Sequence, residues 1–176
     1  ALVPELHRRA AIWLAAHGRE PEAARHAAES EDWELLADVV AQAGFPMLVR
    51  GELSELADVL RAIPQSVLRA NPSYPLVVAG GALEVGDARG AEMWLALADE
   101  SVANVRDRDR EMYVIGRAII GMYRARLTGD VAQGVEEALV LMGGERSGGI
   151  ADYGYALDLR ALALINLGAL EPWTGN

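Results

Sequence analysis

Glu29, Glu31 and Asp32 stand close together, and Asp107, Asp109 and Glu111 alternate with Arg106, Arg108 and Arg110. Paired carboxylates are what a general acid and base require when an enzyme moves protons. The arginines interleaved with the second run neutralise it, and an acidic run at a helix end is ordinarily a solvated face that complements the helix dipole. Three histidines, His7, His17 and His26, lie where a first helical hairpin would bring them together. None of them has the i, i+4 spacing of a helical zinc site, so they read as helix-surface or capping residues. The glycine-rich stretch 143–149 lacks the lysine of a phosphate-binding loop, because the chain has no lysine at all. Ser147 falls in that stretch without a Gly-x-Ser-x-Gly context. With no cysteine in the chain, a thiolate metal site, a disulfide framework and a cysteine nucleophile are all excluded. The expectation is a protein with no catalytic residue, metal or cofactor of its own. An enzyme on an all-helical scaffold, the competing class, would need an apolar pocket with convergent titratable groups.

Binding chemistry is better represented. Tyr113, Arg117, Ile120 and Arg124 recur at spacings that put them on one stripe of a helix. Arginine offers a planar fork of donors and tyrosine an apolar ring with one polar tip, the residue types that dominate binding hot spots. Tyr155 and Arg160 would extend the patch from a neighbouring helix. The competing reading is that these arginines are solvated and paired with nearby Asp and Glu. Trp13, Trp33, Trp94 and Trp173 stand among Ala and Leu and read as core between helices.

The elements that would position these residues are helical throughout. Hydrophobic residues make up 52% of the chain and aromatics only 6%, with Ala and Leu, both strong helix formers, prominent. Apolar periodicity and Gly or Pro punctuation predict helices over 4–17, 21–28 and 31–43, the last broken by Gly44 and Pro46. Further helices are expected over 51–63, with Leu53, Leu56, Val59, Leu60 and Ile63 inward, and from Pro64 to about Asn71. Beyond these come 74–85, 88–105, 107–127, 131–142 and 150–167. Gly116 and Gly121 inside a strong helix imply that something packs close against it. The segment 143–149 is the expected flexible loop. No stretch alternates with period two, so no strand is expected.

The chain has 176 residues and a formal net charge of −10, with all sixteen basic residues arginine, which reads as codon usage rather than as sixteen anion sites. A field of that sign repels phosphate backbones and anionic lipid, so direct nucleic-acid binding and membrane association are not expected of this segment. Its longest apolar run, 75–83, is too short to span a bilayer, and the N-terminus is too charged for a secretory signal. A reducing cytoplasm is the expected compartment.

Glycine followed by a polar residue recurs at Gly51-Glu52, Gly86-Asp87, Gly129-Asp130 and Gly175-Asn176. These turns are separated by about 35 to 46 residues, within the range of helix-hairpin solenoids. At Gly86-Asp87 and Gly129-Asp130, followed by similar text, the glycine stops one helix and the Asp caps the next, a tetratricopeptide-like (TPR-like) grammar. The fold expected is therefore all-α, a TPR-like α-solenoid of about five hairpins in a single domain over 1–176. Because the helix after Gly175-Asn176 is missing, the chain reads as a fragment of a longer protein.

The residues 5–18 (Glu5-Leu6-His7-Arg8-Arg9-Ala10-Ala11-Ile12-Trp13 and onward to Gly18), Pro21-Glu22-Ala23-Ala24-Arg25-His26-Ala27 and Asp32-Trp33-Glu34 carry a resemblance. So do Arg50-Gly51-Glu52-Leu53, Leu60-Arg61-Ala62-Ile63-Pro64, Asn71-Pro72, Gly86-Asp87 and 167–175. Together they resemble the helical segment that follows the ATPase and winged-helix region of large ATP-binding LuxR-family (MalT-like) transcriptional regulators. The resemblance spans nearly the whole chain and is weakest over 102–149; Val59 stands where the family often has Trp, and Glu31 where Gly is common. It implies a nucleotide switch and a helix-turn-helix elsewhere in the parent, with ATP bound outside this segment. This piece would bind a small-molecule inducer or a protein partner and contact the parent's other domains. The solenoid of a signalling kinase and a free-standing adaptor remain alternatives.

Overall fold

A helix with one apolar stripe must lay it against another helix, and a chain of short helices separated by glycine does so by folding back repeatedly. The computed structural model describes residues 2–143. In chain order these form α1 (Leu2–Ala15), α2 (Glu20–Glu29), α3 (Trp33–Arg50), α4 (Leu53–Arg61), α5 (Gln65–Ala70), α6 (Ser73–Glu84) and α7 (Ala88–Glu100). Two 3-10 turns, Val102–Asn104 and Asp107–Asp109, lead to α8 (Arg110–Thr128) and α9 (Val131–Gly143). The described chain is all-helical and contains no strand. None of its helices is long and apolar enough to cross a membrane. The chain divides into two compact units, Ala1–Asp109 and Arg110–Asn176. The loop expected at 143–149, beyond Gly143 itself, the helix at 150–167 and the turn at Gly175 lie outside the described residues.

Four turns share one geometry. Gly18, Gly51, Gly86 and Gly129 take φ of 68°, 70°, 78° and 76°, the left-handed region that costs an L side chain strain. The residue after each glycine donates its N–H back to a carbonyl in the last helical turn: Arg19 to Leu14, Glu52 to Met47, Asp87 to Ala82 and Asp130 to Ala125, at 2.9–3.0 Å. Asp87 and Asp130 then accept from the N–H groups of Gly90 and Gln133, at 2.8 and 3.1 Å, and cap α7 and α9. Asp32 caps α3 in the same way through Leu35. Glu52 makes no such bond at the start of α4. There the carboxylate of Glu84, at the end of α6, accepts from the N–H groups of Leu53 and Ser54 at 2.7 and 2.8 Å.

In the first unit α1 packs on α2, α2 on α3 and α4, and α6 between α4 and α7. Ala11, Ala23, Ala24 and Ala27 are fully buried, the small-residue face that lets α1 and α2 approach closely. Every residue of α6 from Tyr74 to Ala82 is buried. Close passage of α6 over α4 depends on Gly81, where an added Cβ would stand 2.6 Å from the Ala57 Cβ. Leu53, Leu56, Val59, Leu60 and Ile63 are buried as the periodicity predicts. In the second unit α8 and α9 pack as a hairpin, with Glu137 of α9 lying across Gly121 and bonded to Arg117 at 3.0 Å. Glu137 is thus the close neighbour that a glycine at 121 implies.

Three expectations are corrected. α3 does not break at Gly44 and Pro46 but runs through both to Arg50. Proline forfeits one backbone bond, but Phe45, Met47 and Leu48 are all buried, and that packing outweighs the loss. Trp13, expected as core, is 56% exposed, because α1 turns Ala11 and Leu14 inside instead. The helix expected over 88–105 stops at Glu100 and gives way to the 3-10 turns.

Candidate recognition groove

The C-terminal part of α2, the start of α3 and the C-terminal part of α4 do not close completely on one another. Between them lies an open groove of about 490 Å³, inside the usual size range of ligand sites. Its floor is apolar: Val59 and Ile63 are buried, with Ala28 and Trp33 half-buried beside them. Ala62 and Pro64 are exposed at one edge. The charged rim holds Glu29, Glu31 and Asp58 against a single cation, Arg25. Glu31 occupies the α2–α3 turn at φ 56°, a left-handed conformation rare for a residue with a side chain. It is followed directly by the Asp32 cap, so the turn fixes both where α3 begins and where Glu31 stands. Asp58 bonds Arg61 at 2.6 Å along α4 in an exposed pair, whereas Glu29 and Glu31 have no ion-pair partner among the described residues.

A second hollow lies at the opposite ends of α2 and α4, around Gly18, Pro21, Met47 and Gly51. Its arginines are engaged locally, Arg19 with Glu22 at 2.7 Å and Arg50 with Glu52 at 2.5 Å. The Arg19 hydrogen bond holds the Glu22 carboxyl below the ordinary carboxylate range.

Away from the grooves, the charged segment 106–109 folds back on α3. Arg106 reaches Asp38 at 2.7 Å and Glu34 at 3.5 Å, and also bonds Asp109, while Arg108 bonds Asp38 as well. Burial works against the Arg106 charge, but its bonds to Asp38 and Asp109 prevail and raise its pKa. These carboxylates fasten a loop, and within the acid run Asp109 is occupied in ion pairing. Nearby, the Tyr74 hydroxyl donates to the Trp33 carbonyl at 3.2 Å, and burial pushes the phenol up to about 12.

The stripe predicted on α8 is placed as follows. Tyr113 and Ile120 are buried, 5% and 2% exposed. Arg117 is half-buried and pairs with Glu137, and Arg124 is half-buried. Tyr155 and Arg160 lie outside the described residues. Of the histidines, His7 and His26 meet across α1 and α2 with their Nδ1 atoms 2.9 Å apart. His17 instead bonds the Trp13 carbonyl at 2.6 Å and stacks on the Trp13 indole. No group of three or more potential metal ligands occurs among the described residues. Trp13 is exposed rather than core, and Trp33 and Trp94 are half-buried.

The groove escapes a reading by periodicity because its lining comes from segments about one repeat apart. A pattern places Val59 and Ile63 inward without showing that the partner helix leaves a gap above them. No family model matches this chain, and neither a curated protein nor a solved structure does.

Proposed function

We propose that this chain is a recognition module, the sensor or protein-interaction helical repeat of a larger ATP-dependent LuxR-family (MalT-like) regulator, stacked in the TPR-like manner. The observation that carries recognition is the α2–α3–α4 groove, with its apolar floor and two rim carboxylates, Glu29 and Glu31, that have no ion-pair partner among the described residues. Such a surface offers burial for an apolar group and fixed charges to orient it. The recurring glycine turn supports the repeat arrangement, and the regulator assignment rests on the sequence resemblance.

Ala62→Arg tests the reading in the parent regulator, because Ala62 is exposed at the groove edge and can be enlarged without disturbing the core. Transcriptional response to the inducing signal should be lost while the helical circular-dichroism signal and melting temperature stay unchanged. A normal response removes the groove from consideration. Arg117→Ala with Arg124→Ala, in the same assay, asks whether the α8 stripe carries recognition instead.

A further inference from the structure

The groove's chemistry restricts what can fill it. Its rim has three carboxylates against one arginine, so an anionic ligand such as a nucleotide, or a phosphate backbone, meets net repulsion. Its floor of Val59, Ile63, Ala28 and the Trp33 side chain gives no return to a fully hydrated ion, and requires an apolar group. The carboxylates come from three places, the end of α2, the α2–α3 turn and α4, so a single ammonium would leave most of the rim unanswered. The groove is also partly open to solvent, so a segment of a larger molecule can reach its floor. We infer that it docks a short cationic segment of a partner protein, one apolar side chain seated over Val59 and Ile63 and flanking Lys or Arg side chains paired with Glu29, Glu31 and Asp58. This rests on the reading of the chain as a recognition module and adds the class of partner.

Glu29 and Glu31 do most to select that partner. Because neither has an ion pair among the described residues, an incoming arginine gains a charge-assisted contact without breaking one of those. Asp58 must exchange Arg61 for the newcomer, and exposed pairs of that kind are weak enough to exchange freely. Arg25 on the same rim orients the segment by repelling a cation placed at its end.

The probes are fluorescent peptides carrying Leu, Phe or Trp between Lys or Arg residues. They are compared with peptides bearing Glu in place of the basic residues, peptides bearing Ala in place of the apolar one, and the small amine tryptamine. Anisotropy titration of the whole chain should show the cationic peptides binding with Kd on the order of micromolar, with both control peptides and tryptamine much weaker. Glu29→Gln with Glu31→Gln should weaken binding about tenfold and flatten its salt dependence, and Ala62→Arg should abolish it, all with unchanged circular dichroism. Failure of every cationic peptide to bind, equal binding of the Glu peptides, equal binding of tryptamine, or indifference to both variants would each overturn the inference. Loss of regulator response in Ala62→Arg without any peptide binding would overturn the partner class and leave the recognition reading standing. A normal response would overturn both.

Discussion

Two glycines separate close packing from mere helix disruption. Gly44 faces Val77 with room for a Cβ at an ordinary 3.6 Å, while a Cβ on Gly81 would collide with Ala57 and come within 3.3 Å of the Ser54 Cα. Gly44→Ala should therefore stabilise the protein by about 1 kcal/mol through helix propensity. Gly81→Ala should destabilise it by about 1 to 3 kcal/mol by forcing α4 and α6 apart. Urea unfolding reads both, and equal effects would mean that the α4–α6 approach is looser than described. Tyr74 sets an alkaline limit. Its phenol is held neutral in the folded protein up to about 12 against 10 in the unfolded chain, so the associated stability is complete below pH 10 and is lost as pH rises to 12. The loss amounts to about 2 to 3 kcal/mol. Unfolding free energies measured from pH 9 to 12 should fall more steeply for the natural protein than for Tyr74→Phe. At this scale the sequence was only partly legible: Leu53, Leu56 and Leu60 were expected inward and are buried, but Trp13 looked like core and is exposed. Periodicity gives the apolar arc of a helix without fixing which edge of a broad arc the neighbour covers, and α1 buries its alanine edge.

Among the elements, the turns were the most readable part of the sequence. A left-handed glycine and a capping aspartate are local devices, written within a few residues, and Gly51, Gly86 and Gly129 all act as their sequence context predicts. Helix ends decided by tertiary packing were not readable in this way, and α3 passing through Pro46 is the clearest case. The start of α4 is another, since its cap comes from Glu84, thirty-one residues beyond Leu53. Glu84→Ala removes acceptors from two backbone donors and should cost about 1 to 2 kcal/mol. Glu84→Gln, which keeps one acceptor but no charge, should cost less. Chemical denaturation that ranks the two variants the other way, or finds no loss in either, would show that the amides of Leu53 and Ser54 are satisfied by water. The groove belongs to this scale as well, because three helix ends make it and no single segment encodes it.

For the molecule as a whole, the charge of −10 remains the plainest functional statement in the sequence. It predicts no retardation of duplex DNA in a gel shift at low salt, where electrostatic attraction would be strongest. A shifted band would require a local basic surface strong enough to overcome that field. All-helical architecture was legible from composition and periodicity, whereas the stacking of hairpins depends on long-range contacts that no short window of sequence contains. The cap of α4 by Glu84 also has a consequence in time. A nascent chain leaves the ribosome N-terminus first, so Leu53 and Ser54 emerge well before the residue that will hold them. Until α6 has followed, the first turn of α4 stays frayed and its amides belong to water. The arrival of Glu84 then joins the two helices at once, making translation order a determinant of when this part of the core becomes protected from exchange.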